Sequence, residues 1–192
     1  MTTARRPRLP VTGDPEADLL LEDEPVALLI GMLLDQQVPM EWAFRGPKTL
    51  RERLGHLDPS RIAATAPELL EEVASRKPAI HRFPKAMARR IRELCAHLEE
   101  YYDGDASRIW SDATNASEVL DRLRSLPGFG EEKARITLAV LGKRMGVRPR
   151  GWKKAAEPFS GSEPRSVADV SSPAALERVR LYKRELKQAG KR

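Results

Sequence analysis

The sequence carries a single cysteine, Cys95, among 192 residues. One thiol cannot supply an intramolecular disulfide framework, a four-cysteine zinc site or a cysteine-held iron–sulfur cluster. Aromatic residues are scarce, at 5%. No run of 18 apolar residues occurs, so no membrane span is expected. No apolar stretch of signal-peptide type follows the basic start Met1–Arg8. Alternating strand patterns and internal repeats are also missing. His81 has no second His or Cys at ligand spacing, which argues against a transition-metal site. These absences leave a cytoplasmic, metal-free protein as the simplest reading.

What is present is apolar content of 41% with charged content of 32%. That balance fits a folded, charge-rich domain and not a disordered chain. Lys and Arg total 34 against 28 Asp and Glu, a net charge of +6. The charge is segregated. Residues 9–44 hold acids but no Lys or Arg, whereas 76–92 and 143–154 hold Lys and Arg but no acid. Two basic runs of this kind are the footprint expected of phosphate contacts. Residues 1–12 read as a mobile arm, 13–192 as one domain in two lobes, and Gly190–Arg192 as a frayed tail.

Periodicity is helical throughout. Val26, Leu29, Ile30 and Leu33 recur at helical spacing, with Leu28, Met32 and Leu34 on the adjoining faces. A helix apolar nearly all round belongs at the centre of a core. It is expected to run from Pro25 to Gln36 or Gln37. Met87, Ile91, Leu94, Cys95 and Leu98 mark a second strong helix, and Leu176, Val179, Tyr182 and Leu186 a last one. Gly46-Pro47 interrupts the pattern after Met40, and Thr65-Ala-Pro-Glu68 has the form of a capping box. Residues 147–171, rich in Pro and Gly, read as a long irregular loop. The expected fold class is all-α.

The most informative segment is Leu126-Pro127-Gly128-Phe129-Gly130 between two helices. Two glycines permit a sharp turn with φ > 0 and leave bare N–H groups at a helix start. Such a turn binds phosphate without reading bases. Phe129 is expected to anchor it from inside, with Lys133 one turn beyond.

Residues 115–142 resemble the helix–hairpin–helix of the DNA glycosylase superfamily that includes endonuclease III, called HhH-GPD. Leu28–Gln37 is similar to that family's early buried helix, which ends in Gln. Ile80–Cys95 is similar to its Lys-Ala segment opening a long helix. The resemblance spans roughly residues 20–150 and implies a two-lobed helical fold that grips double-stranded DNA. It implies that Gln37 fills the gap left by a flipped base. It also implies phosphate contacts at Leu126, Gly128, Phe129, Gly130, Lys133, Arg82, Lys85, Arg148 and Arg150, and a monovalent cation on hairpin carbonyls such as those of Leu126 and Gly128.

The chain departs from the family where catalysis resides. The family Asp follows the hairpin in a Gly-Val/Ile-Asp pattern, but here Gly146-Val147 leads to Arg148. No carboxylate occurs from Lys143 through Ala156. The family's lyase Lys position holds Glu132, and Lys133, one place on, is turned about 100° round the helix. A glycosylase still needs a carboxylate near the sugar, and Asp35 and Glu132 are the candidates. Trp42, His81 and Trp152 are candidates for holding a flipped base. The reading is a monomeric, monofunctional DNA glycosylase without an iron–sulfur cluster. The alternative is a binding module that holds damaged or structured DNA without cutting it.

Overall fold

A computed structural model describes residues 5–190, and every regular element among them is helical. Met1–Ala4 of the expected arm and Lys191–Arg192 of the expected tail lie outside the described residues. The first helices are α1 (Pro15–Asp23), α2 (Pro25–Leu34), α3 (Met40–Leu54), α4 (Pro59–Ala64), α5 (Pro67–Ser75) and α6 (Pro84–Tyr102). They pack as one group, with α3 on α1 and α2, and α6 on α4 and α5. Then come α7 (Arg108–Ser111), α8 (Ala116–Ser125), α9 (Glu131–Val140), α10 (Trp152–Ala155) and α11 (Pro173–Ala189). A π-helical turn, Leu141–Met145, continues α9, and a 3₁₀ turn, Val167–Asp169, packs against it. None of the described helices is long and apolar enough to cross a membrane.

Proline starts most of these helices. It stands at the first turn of α1, α2, α4, α5, α6 and α11, where its missing N–H costs nothing. Side-chain oxygens of Asp14, Asp58, Asn115 and Ser172 cap α1, α4, α8 and α11. The expected box at Thr65 does not form. Thr65 ends α4, its hydroxyl donates to the Arg61 carbonyl, and α5 starts from Ala66 without a side-chain cap. Pro47 lies inside α3, which runs on through Gly46-Pro47. A Cβ at Gly46 would approach Cδ1 of Leu34 to 2.4 Å, so the residue is small because α2 passes there.

The core is centred on α2, where every residue from Val26 to Leu34 is buried. The reading of a mobile arm over 1–12 is corrected for its described part. Leu9 and Val11 are fully buried. The N–H groups of Val11 and Thr12 donate to the buried Asp18 carboxylate, and Arg45 donates to the Thr12 carbonyl at 2.6 Å. Two apolar side chains too few to show periodicity were enough to tie the segment down. The loop 147–171 is irregular apart from α10 and the 3₁₀ turn, and Ala156, Val167, Ala168 and Val170 fold it onto the core.

Candidate functional site

The two groups of helices meet where α2 ends. There the hairpin between α8 and α9 presses on Leu33. Gly128 has φ +81°, and a Cβ on it would lie 2.5 Å from Cδ1 of Leu33. Glycine is required both by conformation and by space. Leu126 and Phe129 are buried beneath the turn, and the Phe129 N–H donates to the Leu126 carbonyl at 3.0 Å. Gly130 differs from its expected role. Its φ is −89°, its backbone is extended, and it serves as the N-cap of α9 in open space.

The N-terminus of α9 is without a side-chain cap, and its first helical bond is from Ala134 to the Gly130 carbonyl. The N–H groups of Glu131, Glu132 and Lys133 precede that bond and have no helical acceptor. They form the donor cluster that suits phosphate. Glu131 stands beside them, but Arg124 and Arg135 both pair with it and hold its carboxyl down to about 2. Its negative charge is thereby offset at the hairpin mouth.

The spacing assigns Lys133 to phosphate and turns it about 100° from the lyase position; the structure seats it in the cleft wall. Its ammonium donates to the Met32 carbonyl at 2.6 Å and to the Leu33 carbonyl at 3.2 Å, while lying 5.9 Å from the Phe129 ring centre. It thus satisfies the last carbonyls of α2 instead of reaching outward. This contact accompanies the end of α2 at Leu34, short of the expected Gln36 or Gln37. Burial lowers the Lys133 ammonium to about 8, against the pull of Asp35.

Below this junction lies a cavity of about 880 Å³, with Asp35, Gln37, Glu132, Lys133, Lys183 and Lys187 in its wall. Both candidate carboxylates therefore reach one cavity, together with Gln37. Burial raises the Asp35 carboxyl above its ordinary range, and the charges of Lys183 and Lys133 pull in the opposite direction. Glu132 is exposed. Gln36 is fixed from three sides. Its amide donates to the Leu33 carbonyl, its side-chain oxygen accepts from Arg90, and its backbone carbonyl lies 2.8 Å from His81 Nε2. Gln37, next in the chain, is exposed and left-handed at φ +58°. That conformation is costly for a non-glycine residue and recurs at functional positions.

None of the three rings proposed for a flipped base lines this cavity. His81 is buried behind Gln36, and its Nδ1 accepts from the Phe83 N–H. Trp42 lies beside it, with its indole N–H on the Ala79 carbonyl at 2.8 Å. Trp152 packs on Gly142 in a second cavity, which Arg148 also lines. That second cavity opens beside the π-helical turn, beyond the far end of α9. Arg82 and Lys85 are exposed around the His81–Phe83 turn, and Arg150 is exposed at the end of the 143–154 run.

The cleft cations of α11 escaped sequence reading. Lys183 follows Leu176 and Val179 at heptad spacing, so a lysine on the apolar stripe was the available signal. Leu186, assigned to that stripe, is instead exposed. Helix α11 also contributes an Arg180–Glu41 ion pair, which ties it to the start of α3.

A family model described as HhH-GPD superfamily base excision DNA repair protein matches residues 30–191. The match starts within α2 and takes in the cleft, the hairpin and α11, reaching well past the roughly 20–150 of the resemblance. Comparison with curated proteins and with solved structures found no match. With the match covering most of its length, the chain belongs to the HhH-GPD superfamily of base excision DNA repair proteins.

Proposed function

We propose that the chain is a monofunctional DNA glycosylase in which Asp35 is the carboxylate at the sugar. Family membership supports DNA binding and glycosylase-type chemistry. The observation that carries the assignment is the desolvated Asp35 carboxyl in the wall of a cavity directly below the hairpin. A carboxylate poised above its ordinary range is suited to take a proton near neutral pH. Asp35 accepts a proton from water as that water attacks the sugar C1′. The N-glycosidic electrons leave with the base, and Lys183 and Lys133 hold the cavity positive around the departing anion. Glu132, more exposed, is the second candidate for the same task.

In this reading the bare N–H groups of α9 hold a backbone phosphate beside the lesion. The strained, outward Gln37 enters the stack where the base has left, and Arg82, Lys85 and Arg150 add sequence-independent contacts. A monovalent cation would rest on the hairpin carbonyls of Leu126 and Gly128. The Leu126 oxygen already accepts one hydrogen bond and keeps one lone pair for it. Among the described residues no group of His, Cys, Asp or Glu side chains is arranged to hold a metal ion.

The test is incubation with duplexes that each carry one deaminated, oxidised or alkylated base, followed by assay for abasic sites. Abasic product that disappears in Asp35→Asn supports the reading. Salt-sensitive binding without product from any lesion would assign the chain to the alternative, a binding module. That alternative is favoured by one observation, the Arg148 that stands where the family has its Asp.

A further inference from the structure

The second cavity, of about 730 Å³, has Arg144, Arg148, Trp152, Lys153 and Arg178 in its wall. Lys143 lies there too, but its charge is spent. It donates to Asp169 at 2.5 Å and to the Gly161 carbonyl at 2.6 Å, and both members of the pair are largely buried. Asp169 is the only carboxylate lining the cavity. The remaining four cations have no carboxylate partner among the described residues.

Two of the arginines are held in position. Arg144 Nε donates to the Ala168 carbonyl at 2.9 Å, and Arg148 Nε donates to the Gly142 carbonyl at 3.0 Å. In each case the backbone takes the Nε and leaves the terminal nitrogens of the fork without a hydrogen-bond partner. A guanidinium fork fixed this way is preorganised for a phosphate oxygen pair. The backbone is shaped for the same place. The π-helical turn Leu141–Met145 ends the α9 rod at this wall, and such turns are frequent at functional sites. Gly142 admits the Trp152 ring so closely that a Cβ would meet it at 2.4 Å. An aromatic wall beside paired forks, in a cavity of ligand size, matches a phosphate carried on a flat ring system.

The cavity is separate from the Asp35 cleft. From Lys133 to Val140, α9 alone spans about 10 Å at 1.5 Å per residue, and the lining of the second cavity begins beyond it, at Gly142. A duplex seated on the hairpin meets the opposite end of α9. We propose that this cavity binds a nucleoside phosphate, its phosphate on the Arg148 and Arg178 side and its base along Trp152, independently of DNA held at the hairpin.

Calorimetric titration of the full chain with 2′-deoxyadenosine 5′-monophosphate tests this, with deoxyadenosine and inorganic phosphate titrated in parallel. The expected result is one saturable nucleotide site per chain, at least tenfold weaker in Arg148→Ala/Arg178→Ala and unchanged in Asp35→Asn. Deoxyadenosine is expected not to bind, and inorganic phosphate to bind more weakly than the nucleotide. Arg178→Glu is a second variant. Arg178 makes no hydrogen bond or ion pair among the described residues, so its reversal leaves the fold intact, and it too should weaken nucleotide binding at least tenfold. No saturable binding by wild type, or binding unaffected by Arg178→Glu, overturns the proposal. So does loss of duplex affinity in Arg178→Glu without nucleotide binding by wild type, which would assign the cavity to the DNA backbone. Failure of the lesion assay leaves this titration unaffected, because the two sites share no residue.

Discussion

Gly128 and Leu33 touch so closely that the hairpin turn has room for no side chain over the end of α2. Gly128→Ala therefore meets two penalties at once. The left-handed backbone costs about 1–2 kcal/mol for a residue with a Cβ, and overpacking adds about 1–3 kcal/mol. A loss of roughly 2–5 kcal/mol in unfolding free energy is expected, read from the urea midpoint. DNA affinity at low salt should fall with it, because the same turn presents the α9 donors.

Asp35→Asn separates chemistry from folding. Burial disfavours the charged carboxyl more than the two lysines favour it, as its raised pKa records. Removing the charge should leave the melting temperature unchanged or higher. Base excision should drop by about 10²–10⁴-fold, the usual worth of a positioned acid or base, with lesion-duplex affinity retained. In the wild type, the rate should fall on the acid side with an inflection above the ordinary carboxylate range.

Lys133 offers a pH signature of stability. Its folded pKa of about 8 lies below the ordinary 10.5. Between those values the unfolded chain binds more protons than the folded one. Its contribution to stability must therefore rise as pH climbs from about 8 toward 10.5. Urea midpoints at pH 7.5 and 10 should show this rise in wild type relative to Lys133→Met.

Gln37 carries strain that a glycine would relieve. Gln37→Gly should keep stability within about 1 kcal/mol of wild type, the released left-handed cost offsetting the added chain entropy. Affinity for abasic duplex should nonetheless weaken. Equal affinity in the variant would remove Gln37 from the DNA gap.

Salt dependence reports the exposed cations. Each of Arg82→Ala and Lys85→Ala should lower the slope of log affinity against log salt by about 1. The effect should be the same on undamaged and lesion duplexes.

Local chemistry was the legible part of this chain. Pro25, Pro59 and Pro173 announce helix starts because their fixed φ acts on the next few residues. The apolar wrap of α2 announces its central burial, and the Leu126–Gly130 turn announces the hairpin. Asp35, Gln37 and Glu132, named from sequence, do share a cavity. What escaped was set by distant partners. The end of α2 coincides with a lysine a hundred positions away, which no window of sequence contains. Trp152 and Arg148 were grouped with the cleft by their basic surroundings, yet the length of α9 holds them off. Leu9 and Val11 looked like a loose arm because two residues establish no period.

Helix α11 brings Lys183 and Lys187 to the cleft from the far end of the chain. During synthesis, α2, the hairpin and Asp35 can all leave the ribosome while the cavity still lacks both of those cations. A nascent or C-terminally clipped chain would thus have this wall of the cavity open, and Asp35 would lack the Lys183 charge that pulls its carboxyl down. The order of translation itself leaves the cleft incomplete until the last helix has docked.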